Sequence, residues 1–170
     1  MQIKNFIVFS LLGGAIAQSA ISKGFDAIGV ALDALDNAVV ALTDGGNVQA
    51  ATAGLSAKSA AIVDAIAGAT TTISGSKELT LSEATGVLTP AKNLLTKTRK
   101  TIDDLISKKP IIVKAGQTAT VKSQLEAQAK GAKGLADAVV SRMPSATKNI
   151  AQSQADAIGK EIARGITAFT

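Results

Sequence analysis

Side chains able to do chemistry are scarce in this sequence. Its 170 residues include no His and no Cys. Those absences remove the usual general base, the thiol nucleophile and the common transition-metal ligands. What remains is acid pairs. A pair of carboxylates could hold a cation or trade a proton. Asp103 and Asp104 are adjacent, and neighbours on a helix point in different directions, so they do not make a shared site. Asp33 and Asp36 fall on one helix face, where surface acids mostly just meet water. Asp44-Gly45-Gly46 reads as a turn, not as a phosphate-binding loop. With neither Trp nor Tyr, no aromatic platform exists for stacking bases. The basic residues are spread over three helices, so nucleic acid is not an expected partner. The chain reads as a non-enzyme that holds no metal and calls for no cofactor.

The pattern that does stand out is hydrophobic. In FDAIGVALDALDNAVVAL, residues 25–42, the larger apolar side chains fall at Phe25, Ile28, Leu32, Leu35, Val39 and Leu42. Steps of three and four place them on one stripe of an α-helix. Such a helix must bury its stripe against something. The first mature helix is predicted from Ser19 or Ser22 to Thr43, ended by Asp44-Gly45-Gly46-Asn47. A second runs from Asn47, a candidate N-cap, to Ile73, with Val48, Leu55, Ile62, Ile66 and Ile73 inward. A third runs from Thr80 or Ser82 to Ser107, through Leu81, Ala84, Leu88, Ala91, Leu95, Thr98, Ile102 and Leu105. Pro90 lies inside it, so a kink or break near Thr89 is expected.

Ser107-Lys108-Lys109-Pro110 is a stop signal. Ile111-Ile112-Val113 then reads as an extended linker or a helical turn that tucks apolar groups under the bundle. A fourth helix is predicted over 118–142, with Val121, Leu125, Ala132, Leu135 and Val139 inward. A fifth is predicted from Ser145, as its cap, to Ala168, with Ile150, Ile158, Ile162, Ile166 and Phe169 inward. Short loops and the absence of strand patterns give an all-α fold: an antiparallel bundle of about five amphipathic helices. Helices this long run roughly 35 Å, so the bundle is elongated.

Between the bulky positions the stripes carry Ala, Gly, Ser and Thr. Two outcomes satisfy that pattern. The small residues can pack tightly and close the core, the commoner arrangement. Or they leave an apolar slot for an aliphatic chain. About ten buried methylenes would gain near 8 kcal/mol gross. Immobilisation takes much of that back, leaving micromolar affinity.

The net charge is +5. Residues 18–91 hold three basic and seven acidic side chains, and residues 92–170 hold fourteen and six. Acidic early helices packed beside basic later ones is the plainer explanation. A basic face for an anionic surface is the alternative.

Residues 1–17 have the form of a cleaved signal peptide: Lys4, an apolar run from Phe6 to Ile16, then Ala15-Ile16-Ala17, with Gln18 as the mature start. Residues 18–170 would then be a single secreted helical domain, held without disulfides. No Asn lies in a glycosylation acceptor. Thr70, Thr71, Thr72, Ser74 and Ser76 are compositional candidates for O-linked sugar.

The heptad helix over 25–42, followed by LISKKPIIVKAGQTATVKSQLEAQAKGAKGLADAVVSRMP over 105–144, resembles the fungal hydrophobic surface-binding protein A family. That family includes the antigenic cell-wall galactomannoproteins. The likeness extends over about 19–169 and carries no catalytic signature. It implies a secreted, fungal, all-helical protein of cell wall or medium that binds hydrophobic surfaces. For some members it implies fatty acids held inside the bundle, and for one type the recruitment of a secreted polyester-degrading hydrolase. A long Ser/Thr-rich tail and an anchor signal are missing here, so free secretion or loose wall association is expected.

The leading expectation is a secreted, non-enzymatic binder of hydrophobic surfaces or aliphatic lipids such as fatty acids. Leu32, Leu35, Val39, Ile62, Ile66, Leu88, Leu95, Ile102, Leu125, Leu135, Val139, Ile158 and Ile162 would line its interior. A closed-core cell-wall adhesion protein that meets wall polymer with a basic face is the first alternative. A membrane-active bundle that opens its stripes is the second.

Overall fold

The computed structural model describes residues 8–44 and 48–170. Its helices are α1 (Val8–Val40), α2 (Val48–Ser74), α3 (Leu81–Ser107), α4 (Lys109–Lys114), α5 (Thr118–Arg142) and α6 (Ser145–Ala168). No strand occurs among the described residues. The expected leader lies outside the described residues over 1–7, and the expected turn and N-cap at 45–47 do too. The first helix begins earlier than expected, at Val8. Ala17, on the expected cleavage motif, is completely buried.

The five long helices close into a ring. α1 packs on α2 and α3, α2 on α5, α5 on α6, and α6 back on α3. Successive long helices alternate in direction, so an odd ring must also contain parallel neighbours. The pairings show them. Asp33 meets Lys97, Asp36 meets Lys100, and Lys108 Nζ donates to the Leu42 carbonyl at 2.7 Å. Partner numbers rise together, so α1 and α3 run parallel. Gln128 with Ser59, and Arg142 with the Ser74 carbonyl, show the same for α5 and α2. Arg99 with Glu161, and Arg164 with Asp103, show it for α3 and α6.

A ring of five matters because of its bore. Equal cylinders with axes about 9 Å apart leave a central gap near 6 Å when five close the ring, and under about 4 Å when four do. Side chains must fill that extra space or leave it open.

Local sequence accounts for the helix ends. Thr80 accepts from the Glu83 N–H while its own N–H donates to Glu83 Oε2 at 2.8 Å, a complete capping box before α3. Leu79 N–H donates to the Arg142 carbonyl at 2.8 Å and holds that loop to the end of α5. Gly116 takes φ +69° after α4, a backbone setting only glycine adopts cheaply.

Several expectations need correction. α3 runs unbroken through Pro90. The lost backbone bond is local, whereas α1 and α6 hold α3 along its length, and packing prevails over the break signal. The buried register of α3 is Ala84, Val87, Leu94, Thr98, Thr101, Ile102 and Leu105. Leu88 and Leu95 are half-buried, and Leu81 is exposed. Ile150 is exposed as well. Pro144, not Ser145, is the N-cap of α6, with no side-chain cap bond. Of the two readings offered for Ile111-Ile112-Val113, the helical turn is the one formed: the run lies in α4, with Ile112 completely buried.

Candidate functional site

The ring encloses an apolar cavity to which every long helix contributes. The space open to the centre of a water-sized sphere is about 90 Å³. A single water needs only about 10–15 Å³ on the same measure, so the void is several times larger than a one-water defect.

Its wall has two characters. α1 and α2 contribute Phe25, Ile28, Leu32, Leu35, Ile62 and Ile66, all buried. α5 and α6 contribute Leu125, Leu135, Val139, Val140 and Ile162, but also Ala132, Ala136, Ala151 and Ala155. α3 adds Val87, Leu88, Ala91, Leu94, Ile102 and Leu105. The wall residues that keep partial accessibility, among them Leu88, Ala91, Ala132, Ala136, Ala155 and Ile158, all belong to α3, α5 and α6. The void exists because these helices present alanine where a leucine would fill the bore. Along α6 the wall from Ala151 to Ile162 extends about 16 Å at 1.5 Å per residue. One leaflet of a bilayer's hydrocarbon core spans about 15 Å, so the length suits an aliphatic chain.

Of the thirteen residues expected to line the interior, eleven border this cavity: Leu32, Leu35, Ile62, Ile66, Leu88, Ile102, Leu125, Leu135, Val139, Ile158 and Ile162. Val39 is completely buried but does not border it. Leu95 does not either, because Leu94 takes the inward position.

Four polar side chains interrupt the wall: Thr98, Thr101, Gln128 and Gln154. Thr98 and Thr101 donate to the carbonyls of Leu94 and Lys97 in their own helix, at 2.9 and 3.0 Å. Gln128 Nε2 donates to Ser59 Oγ at 2.7 Å, a buried pair joining α5 to α2. Gln154 Oε1 is buried and has no partner among the described residues. Both glutamines were missed by sequence reasoning, though a signal existed. Gln154 lies midway between Ile150 and Ile158, and Gln128 lies between Leu125 and Ala132. Each is a polar residue at a stripe position.

Among the described residues, no Asp, Glu, Lys or Arg lines the cavity. The charges are used between helices on the outside. Lys100 bridges Asp36 of α1 and Asp104 of α3, the latter at 2.8 Å. Asp36 is thereby buried, not solvated as expected. Asp103 turns away to Arg164 of α6 at 2.7 Å, so the adjacent acids do diverge. Lys100, hydrogen-bonded to Asp104, holds that carboxyl below the usual range, and the Arg99 guanidinium does the same for Glu161. Among the described residues no group of His, Cys, Asp or Glu could hold a metal ion, and no helix is long and apolar enough to cross a membrane.

Comparison with known proteins gives a consistent picture. The family model described as hydrophobic surface binding protein A matches residues 18–141. Cell wall mannoprotein 1 of Aspergillus flavus is 30% identical over 99% of this chain and 63% of its own length. The protein of the same name in Aspergillus fumigatus is 29% identical over 96% of this chain and 58% of its own. The chain thus spans about three fifths of these curated relatives. Among solved structures, ligand binding domain 1 of Penicillium marneffei MP1 protein, complexed with arachidonic acids, superposes with a TM-score of 0.85. It is 28% identical, and the match covers 91% of this chain and 99% of that domain. AFMP4P in complex with palmitic acid shares the fold at a TM-score of 0.84 and 19% identity, over 90% of this chain and 99% of that one.

Proposed function

The chain belongs to the hydrophobic surface binding protein A family, and on that premise we propose that it is a secreted, non-enzymatic binder of aliphatic lipid, its mature form beginning at Gln18. The ligand chain lies inside the ring of helices, against Leu32, Leu35, Ile62, Ile66, Ile102, Leu125, Leu135, Val139, Ile158 and Ile162.

The observation that carries this reading is the apolar cavity bounded by all five long helices, with no charged side chain among the described residues of its wall. A bore of that chemistry excludes ions and offers little to water, yet it gains about 0.8 kcal/mol for each methylene it buries. The relative bound to arachidonic acids has the same helical frame. The wall's hydrophobicity selects a chain class and not one length, so fatty acids are the ligand class. The alternative, adhesion to cell-wall polymer through a basic face, draws less support, because several of the later basic side chains are engaged by the acids of α1 and α3.

Native mass spectrometry of residues 18–170 mixed with fatty acids of several chain lengths tests the proposal. Retained one-to-one or higher complexes are expected. No retention at roughly ten times a micromolar dissociation constant would remove it.

A further inference from the structure

We propose that Gln154 holds the head of the ligand, and that it does so by pairing with a neutral carboxylic acid rather than a carboxylate. This rests on the reading of the cavity as an aliphatic lipid site.

The case begins with elimination. Of the four polar residues in the wall, Thr98, Thr101 and Gln128 already have partners within the protein. Of the four, Gln154 alone brings a fully buried acceptor that is unused: its Oε1 has no partner among the described residues. A buried carbonyl left in that state is destabilising until something donates to it. Gln154 lies one helical turn from Ala151 and one from Ile158, and all three line the cavity; the residue is half-buried, with its Oε1 turned away from solvent.

The chemistry of the partner follows from what an amide can do. A primary amide presents one acceptor oxygen and an NH₂ donor side by side. A protonated carboxyl presents the complementary pair, an O–H donor beside a carbonyl acceptor. The two form a closed pair of hydrogen bonds: the acid O–H donates to Oε1, and Nε2–H donates to the acid carbonyl. A carboxylate would satisfy only the N–H and leave Oε1 facing a negative oxygen.

Electrostatics points the same way. An ionised carboxyl in an apolar bore needs a cation, and among the described residues no Lys or Arg lines this one. The charged groups at this level of the surrounding helices, Asp26 and Asp64 on α1 and α2, Lys92 on α3, Lys133 and Asp137 on α5, and Asp156 and Lys160 on α6, are all exposed. Desolvation without a counter-charge favours the neutral acid. Gln154 therefore selects acids over esters and hydrocarbons of the same length, and it makes uptake tighter as the solution becomes more acidic.

The test compares hexadecanoic acid with its methyl ester, which lacks the O–H donor, on residues 18–170 and on Gln154→Leu, by displacement of a fluorescent aliphatic probe at about pH 6. The native protein should prefer the acid by about tenfold. Gln154→Leu should lose that preference by weakening acid binding while ester binding holds or improves. Ester binding reports that the variant is folded. A second measurement needs no variant: the carboxyl ¹³C signal of labelled acid in the native complex should stay in the protonated position well above the usual carboxyl pKa of about 4.3. Retained acid preference in Gln154→Leu, or a bound carboxyl that titrates at its ordinary value, overturns the assignment. Uptake of acid and ester without preference by the native protein defeats this inference alone. Uptake of neither defeats the lipid-binding reading with it.

Discussion

Gly24 and Ala69 set how closely α1 and α2 approach: a Cβ placed on Gly24 would stand 2.8 Å from the Ala69 Cβ. That neighbour is fixed to the backbone and cannot swing aside. Gly24→Ala must therefore push two helices apart. Its gain in helix propensity, about 1 kcal/mol, is smaller than the overpacking cost of about 1–3 kcal/mol. Chemical denaturation followed by far-UV circular dichroism, the suitable probe in a chain with no Trp or Tyr, should show a net loss. Gly134→Ala and Gly159→Ala, where a Cβ meets nothing within 4 Å, should instead gain up to about 1 kcal/mol. An equal response at Gly24 and Gly134 would contradict this account of the interface.

Filling the bore should separate stability from binding. Ala132→Leu and Ala155→Leu each place bulk where the wall now has a methyl group. The apo protein should hold its stability or gain about 1 kcal/mol as void is removed. Fatty-acid affinity should fall at least about tenfold, equivalent to 1.4 kcal/mol. Calorimetric titration reads the second effect and denaturation the first. Unchanged affinity in both variants would place the ligand elsewhere.

Stability should vary little between about pH 5 and 9, because no His titrates in that range. Asp104 and Glu161 have folded pKa values lowered by hydrogen bonds from Lys100 and Arg99. Their contribution is present above the unfolded carboxyl values near 4 and is lost as pH falls through the lower folded values. Lys100 is raised by Asp104 and Asp36, so its contribution is present below about pH 10 and lost at higher pH. Melting temperatures measured across this range should form a plateau with an acid edge. Asp104→Asn should make that edge shallower, and an unaltered edge would count against the ion-pair ladder as its cause.

The Gln128–Ser59 pair should show strong non-additivity. Ser59→Ala leaves a buried amide donor without its acceptor and should cost about 1–3 kcal/mol. Gln128→Leu with Ser59→Ala removes both polar groups and should cost less than the two single changes summed. A double-mutant cycle in urea reads the coupling, and strict additivity would mean the pair contributes nothing as a pair.

Much of this protein was legible in one dimension. The steps of three and four in 25–42 gave α1 its buried face, and Phe25, Ile28, Leu32, Leu35, Val39 and Leu42 are all buried. The break at Met143-Pro144 does separate α5 from α6. Periodicity determines such features because a helix's face depends only on spacing within that helix. The third helix marks the limit. Leu94 and Leu95 both extend an apolar heptad, from Val87 and from Leu88, and only the neighbours α1 and α6 decide that Leu94 is the one turned inward.

The cavity is the clearest case of what spacing cannot decide. Residue types and periods alone determined five long amphipathic helices with small residues between their bulky apolar positions. They favoured a closed core, the commoner arrangement, and left an open slot as the other outcome the stripes allow. The tertiary structure decided between them by closing the helices into a ring of five rather than a bundle of four, which widens the bore beyond what Ala132, Ala136, Ala151 and Ala155 can fill. It also decided that Gln154, in the wall of that bore, has a buried amide oxygen without a partner among the described residues. The physical reason is that volume and hydrogen-bond satisfaction are sums over all the elements around a point, and no single helix carries that sum in its own sequence.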